Sequence, residues 1–80
     1  MREREHYRYE LRRGHKIVYF GITNNPQRRV FQHDNSGKNF THMNILGSVV
    51  TRESAEKWEK QKIEQYRRNH YGDNPEYNKQ

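Results

Sequence analysis

The sequence predicts a small α+β domain in which helices flank a three-stranded antiparallel sheet, in the order β-β-α-β-α. Two neighbouring segments near the N-terminus have strand character and are separated by a glycine turn, and two later segments begin with helix-capping residues. An 80-residue chain has room for one compact core. We therefore expect a single domain over residues 1–80, without repeats or an interior linker.

The first two segments predict a β-hairpin. In His6–Arg12, tyrosine and leucine alternate with charged residues, which is the period of a strand. Lys16–Ile22 is a nearly continuous apolar run of strand formers, and Arg13–His15 supplies a short turn around a glycine.

The next segment predicts a short helix. Asn25 can cap it and Pro26 can occupy its first position, so the helix should run over Pro26–His33 with Val30 turned inward. Asp34–Thr41 has the composition of a loop, and Met43–Val50 is the third strand candidate.

The second half of the chain predicts a longer helix. Thr51 is its cap, and the helix should continue to about His70, where Gly72 ends it. Asp73–Gln80 then forms a polar tail around Pro75.

The composition favours a basic protein with an aromatic core. Aromatic residues make up 12% of the chain and the formal net charge is +6, which suits a polyanionic partner such as DNA. Solubility alone would account for the charge equally well. The chain has no cysteine and no apolar run long enough to cross a membrane, and Met1–Glu5 does not resemble a signal peptide. We therefore expect no membrane partner and a cytoplasmic location.

The second helix contains a carboxylate on its apolar side. Its apolar stripe includes Ala55, Trp58 and Ile63, and spacing by four places Glu59 in the same stripe. Glu59 could lie at the edge of the stripe and pair with a neighbouring lysine, or it could bind a metal.

Two further pairs of side chains have an ordinary and a functional interpretation. Arg29 and His33 share one helix face, which suits either a phosphate or a solvated surface. Tyr9 and Tyr19 lie on the two strands of the hairpin and can meet across it, as cross-strand packing or as part of a site. The histidines show no zinc-type spacing, and no phosphate-binding glycine loop is present.

These residues together resemble the GIY-YIG nuclease family. The stretch Tyr19–His33 resembles its second signature, a Tyr-x-Gly followed by a helix with arginine and histidine, and Tyr7–Leu11 resembles the first, with Tyr9 as its tyrosine. Tyr7 and Arg8 replace the glycine and isoleucine of that first signature, and the second reads Tyr-Phe-Gly. Two later segments also resemble family motifs. The metal-binding helix is matched by Ala55–Glu59, and the C-terminal asparagine motif is matched by Pro75–Asn78.

The resemblance implies a Mg²⁺- or Mn²⁺-dependent endonuclease that hydrolyses DNA phosphodiester bonds. Glu59 would bind the metal, Tyr9 would take a proton from water, and Arg29 would hold the scissile phosphate. Tyr19 would hydrogen-bond the phosphate or the water, and His33 would position a group or donate to it. Asn78 would hold Glu59 or the backbone near it. Arg29 and the metal should lower the pKa of Tyr9.

Two other functions fit the same sequence. The chain could be a nucleic-acid-binding module that keeps the fold without turnover, an interpretation that the replacements at Tyr7 and Arg8 favour. It could also be a cleavage subunit whose specificity comes from a homodimer or from a partner DNA-binding subunit, as its small size favours.

Overall fold

The computed structural model describes residues 5–78 and contains the predicted elements in the predicted order. The strands are β1 (Tyr7–Arg13), β2 (Lys16–Thr23) and β3 (His42–Ile45), and the helices are α1 (Pro26–Asn35) and α2 (Arg52–Asn69). The predicted α+β fold class is therefore confirmed. Met1–Arg4 and Lys79–Gln80, which entered the expectations for the N-terminus and the tail, lie outside the described residues.

β1 is the central strand of the sheet, whose order is β2-β1-β3 with both pairings antiparallel. Tyr9, Glu10 and Leu11 are all buried, because a central strand is covered on both faces. Gly14 has a φ of 66° in the two-residue turn between β1 and β2, a conformation that glycine adopts without strain.

The two faces of the sheet carry different cores. On one face, Phe20 packs edge-to-face against Trp58 and Tyr66 of α2, with ring centroids 5.9 and 6.3 Å away. On the other, the core consists of Tyr9, Leu11 and Val18. Partly buried aromatic and aliphatic residues complete it, namely Tyr19, Phe40, Met43 and Tyr77.

Two predicted boundaries were wrong. The third strand ends at Ile45 instead of Val50, because the chain turns at Gly47, whose φ is 74°. Val50 returns to the sheet only as an isolated bridge with His6. α1 continues two residues beyond His33 to Asn35, with Ser36 as its C-cap.

α1 is attached to the sheet differently from the expected pattern. Val30, predicted to turn inward, is 36% exposed, whereas His33 is the residue of α1 that is buried. The helix thus presents an imidazole to the core where an aliphatic side chain was expected.

The C-terminal tail closes the outer edge of β2. The backbone nitrogen of Tyr77 donates to the Val18 carbonyl at 2.9 Å. The side chain of Asn78 accepts from the Phe20 nitrogen at 2.7 Å and donates to the Phe20 carbonyl at 2.9 Å. Because an edge strand has unpaired backbone groups, the amide of Asn78 replaces the partner that a fourth strand would provide.

Replacement of Asn78 by Asp should lower the free energy of unfolding by about 1–3 kcal/mol, because a carboxylate can accept from Phe20 but leaves its buried carbonyl without a donor. Urea denaturation followed by circular dichroism measures the change. Asn35→Asp, at an exposed position near the end of α1, is the matched control. Equal stabilities of the two variants would contradict this account of the tail.

Candidate active site

Tyr9 and Tyr19 meet on one face of the hairpin, as the sequence predicts. Tyr9 lies opposite Gly21 and Leu11 lies opposite Tyr19, so the two tyrosines are diagonal neighbours across the strands. Their ring centroids are 6.0 Å apart. Tyr9 is fully buried, whereas Tyr19 is only partly buried.

Gly21 provides the space in which the two rings lie. A Cβ atom at this position would overlap the Tyr9 hydroxyl and would stand 2.6 Å from the Tyr19 ring. The backbone of Gly21 has no unusual φ, so glycine is required here by packing instead of by conformation. The Tyr-x-Gly pattern of β2 therefore follows directly from the tyrosine pair.

His33 completes an aromatic cluster with the tyrosines. Its Nε2 lies 2.7 Å from the Tyr9 hydroxyl in a buried hydrogen bond, and its ring meets the Tyr19 ring edge-on at 4.9 Å. The sequence predicted that His33 would belong to the site but did not predict its bond to Tyr9. That bond joins residues 24 positions apart and has no local signature.

Burial keeps His33 neutral. The imidazole is 6% exposed, and burial lowers the pKa of His33 to about 4, with Lys38 and Arg29 acting in the same direction through their positive charges. At neutral pH one ring nitrogen therefore carries no proton and can accept one.

Burial also opposes ionisation of both tyrosines. Burial raises the pKa of Tyr9, and the neighbouring Tyr19 raises it further. The charge of Arg29 lowers it by a smaller amount. The pKa of Tyr19 is raised mainly by burial and then by the charge of Glu59. The expectation that Arg29 favours the Tyr9 phenolate is correct in sign, but desolvation is the larger effect in the protein itself.

Glu59 is a half-buried carboxylate beside this cluster. It lies one turn after the buried Ala55 on α2, as the sequence predicts. Burial raises the pKa of Glu59, and the charge of Glu56 adds to the effect, whereas Arg29 opposes it. Within residues 5–78 the Glu59 carboxylate forms no hydrogen bond or ion pair, so its oxygens are available to a ligand.

Arg29 is the cation that acts on all of these groups. Its charge influences the ionisation of Tyr9, Tyr19, His33 and Glu59. One terminal nitrogen donates to the Gln32 side chain at 3.0 Å. The buried Nε has no hydrogen-bond partner, which leaves a donor available inside the site.

Lys38 is a site neighbour that the sequence did not identify. Its Nζ lies 5.7 Å from the centre of the Tyr19 ring and 5.9 Å from that of Tyr77. It belongs to the segment interpreted as a loop without periodicity, and a single lysine in such a segment carries no positional signal.

Asn78 reaches the cluster only through the backbone of β2. The tail docks on β2 through the Tyr77 backbone, and the side chain of Asn78 is 8% exposed. Both hydrogen bonds of its amide go to Phe20, the residue between Tyr19 and Gly21, and not to a side chain of the cluster. Asn78 therefore holds the strand that carries Tyr19.

The described residues offer a metal few protein ligands. No group of three or more His, Asp or Glu side chains within residues 5–78 is arranged to hold an ion. Glu59 is the carboxylate whose charge raises the pKa of Tyr19.

The structure also bears on membrane insertion. Within residues 5–78, no helix is long and apolar enough to cross a membrane.

The ionisation of His33 predicts how stability depends on pH. Because the pKa of His33 is about 4 in the folded protein and near 6.5 when unfolded, the unfolded chain binds the proton first as the pH falls. The free energy of unfolding is therefore highest, as far as His33 is concerned, above about pH 6.5, and it decreases as the pH falls towards 4. Urea unfolding across this range should show the loss, and His33→Gln should reduce it.

The control is His15→Gln, which removes an exposed imidazole from the hairpin turn. An NMR titration of the His33 ring gives its pKa without any substitution. A titration midpoint between pH 6 and 7 would contradict the buried neutral state.

The comparisons with known proteins agree with the geometry. A family model described as the GIY-YIG catalytic domain matches residues 5–72, which include Tyr9, Tyr19, Arg29, His33 and Glu59 but not Asn78. No curated protein and no solved structure gave a significant match. Since the match covers most of the described chain, the protein belongs to the GIY-YIG family of nuclease domains.

Proposed function

We propose that the protein is a metal-dependent endonuclease that hydrolyses DNA phosphodiester bonds. The observation that carries the proposal is the buried hydrogen bond between the Tyr9 hydroxyl and a neutral His33, beside Tyr19, Arg29 and a Glu59 that has no ion-pair partner within residues 5–78. Tyrosine, histidine, arginine and carboxylate together supply a proton acceptor, a phosphate ligand and a metal ligand.

The Tyr9–His33 pair can activate water without a free phenolate. As the water oxygen attacks phosphorus, its proton passes to the Tyr9 oxygen while the Tyr9 hydroxyl proton passes to His33 Nε2. Burial raises the pKa of Tyr9 and lowers that of His33, so neither group ionises alone, and the proton transfers are coupled to the attack on the anionic phosphate, whose charge balances the imidazolium. The relay runs between groups 2.7 Å apart.

Arg29 and Tyr19 are suited to the phosphate. Among the described residues the Nε of Arg29 has no partner, and together with a terminal nitrogen it can donate to two phosphate oxygens in a planar arrangement. The Tyr19 hydroxyl can donate to the same group or orient the water. The new oxygen–phosphorus bond forms as the bond to the bridging oxygen breaks, and this oxygen takes a proton from solvent.

Glu59 fits a magnesium or manganese ion. A carboxylate that is half-buried, unpaired and close to the charge of Glu56 is destabilised, as its raised pKa indicates, and a divalent cation would relieve that destabilisation. Mg²⁺ commonly uses one or two carboxylates, with waters and substrate phosphate completing its coordination. When bound, such an ion stabilises negative charge on the phosphate oxygens and the departing oxygen.

Asn78 would contribute through position alone. By pairing with the backbone of Phe20 it fixes β2 between Tyr19 and Gly21. Its replacement should therefore affect Tyr19 and stability together.

A binding module without turnover is the second candidate. The basic surface around Arg28 and Arg29 would serve binding alone equally well, and Arg8 occupies a signature position of β1 as a partly buried side chain. Incubation of the protein with plasmid DNA, with and without Mg²⁺, separates the two functions. Analytical ultracentrifugation of the same protein shows whether cleavage accompanies a homodimer or needs a partner subunit.

Glu59→Gln should abolish Mg²⁺-supported plasmid cleavage, since it removes the charge that binds the metal and keeps the volume of the side chain. The matched control, Glu64→Gln, changes an exposed carboxylate on the same helix. Mn²⁺ binding followed by electron paramagnetic resonance should weaken in Glu59→Gln but not in the control. Unchanged cleavage at limiting Mg²⁺ would remove Glu59 from the site.

Arg29→Lys should reduce kcat/KM for plasmid cleavage by about 10²-fold or more, because a single ammonium cannot reproduce planar contacts with two phosphate oxygens. Arg67→Lys, at an exposed position on α2, controls for the general effect of the exchange. Near-normal rates for Arg29→Lys would exclude a planar arginine contact with the scissile phosphate.

A further inference from the structure

A groove lies beside the candidate site, between the beginning of α1 and the beginning of α2. Its volume is about 380 Å³, and the end of β2 forms its floor. Arg29 belongs to both the groove and the tyrosine cluster, so the two are continuous. The lining residues that carry the argument are His6, Thr23, Arg28, Arg29, Arg52 and Glu56.

The charge of the groove is predominantly positive. Of the described residues, three arginines and one carboxylate line it, and that carboxylate, Glu56, is paired with Arg52 at 3.1 Å. The side chain of Arg28 forms no ion pair or hydrogen bond with any residue from 5 to 78. Arg28 therefore presents a full guanidinium to whatever occupies the groove.

Two residues that line the groove each contain a buried polar atom without a hydrogen-bond partner among residues 5–78. These atoms are Nδ1 of His6, at the start of the sheet, and Nε of Arg29, on α1. The Nε of Arg29 is a donor, and a buried donor without a partner is destabilising, so the pair favours a ligand that offers oxygen acceptors to Arg29. An oxygen-rich anion satisfies guanidinium and imidazole donors together.

We infer that the groove binds the backbone of the DNA strand that is cut, at a phosphate next to the scissile one. The inference rests on the proposed function, because Arg29 would place the scissile phosphate at the mouth of the groove. The strand would then continue along Arg28 and Arg52. An acidic peptide fits less well, since the lining offers Ile22 as its only aliphatic side chain and no aromatic anchor.

Arg28→Gln tests the inference directly, because Arg28 lines the groove without a structural partner. Binding of a fluorescent DNA duplex is measured by anisotropy over a range of salt concentrations, with Ca²⁺ in place of Mg²⁺. Loss of one phosphate contact should lower the slope of log Kd against log salt by about 0.9 and raise Kd several-fold. In cleavage assays the loss should fall on KM more than on kcat.

The matched control is Arg68→Gln, which removes the same charge from the last turns of α2, outside the groove. A salt slope for Arg28→Gln equal to that of Arg68→Gln would overturn the inference, even if the wild-type protein cuts DNA. Conversely, a specific change in slope without any plasmid cleavage would support phosphate binding in the groove and would contradict turnover by this chain alone.

A methylphosphonate scan locates the contact. Each phosphate of one strand is neutralised in turn, and the affinities of wild type and Arg28→Gln are compared. At one position beside the cut, neutralisation should weaken binding to wild type several-fold and leave Arg28→Gln unaffected, because the contact is already lost. Equal losses for both proteins at every position would contradict the assigned strand path.

Discussion

The hydrogen bond between the Tyr9 hydroxyl and His33 Nε2 connects α1 to the sheet, and the position of Arg29 depends on it. Among the described residues of α1, His33 is the buried one, whereas Val30 and Phe31 are exposed. A helix without a broad apolar face gains little from hydrophobic packing, so a single polar contact has unusual weight in its orientation. Arg29 lies one turn earlier on α1, so the same hydrogen bond also positions Arg29 near the tyrosines.

Burial determines the ionisation of the whole cluster. Desolvation lowers the pKa of His33 and raises the pKa values of Tyr9, Tyr19 and Glu59, which means that it favours the neutral form in every case. Arg29 is the cation held among them. In the proposed function, a phosphate would compensate the charge of Arg29 and a divalent cation would compensate that of ionised Glu59.

Three consecutive residues of β2 contribute both to the stability of the fold and to the candidate site. Tyr19, Phe20 and Gly21 are consecutive: the first belongs to the cluster, the second anchors α2 and the tail, and the third makes room for both tyrosine rings. Alternation along the strand sends Phe20 to the α2 face and Tyr19 to the α1 face. Any shift of this strand by one residue would therefore disrupt both cores and the site at once.

The sequence by itself predicted the order of the elements and, apart from Lys38, the residues that meet in the cluster, because strand alternation, helix spacing and the family signatures all depend on near neighbours. Alternation in β1, the glycine of the hairpin turn, the caps Asn25 and Thr51, and the position of Glu59 after Ala55 are all readable at short range. The family signature added Asn78. Only the tertiary structure decided that His33 bonds Tyr9, that Asn78 holds Phe20 across 58 positions, and that burial outweighs Arg29 at Tyr9. Partners and desolvation depend on how the closed chain fills space, and local periodicity does not encode that.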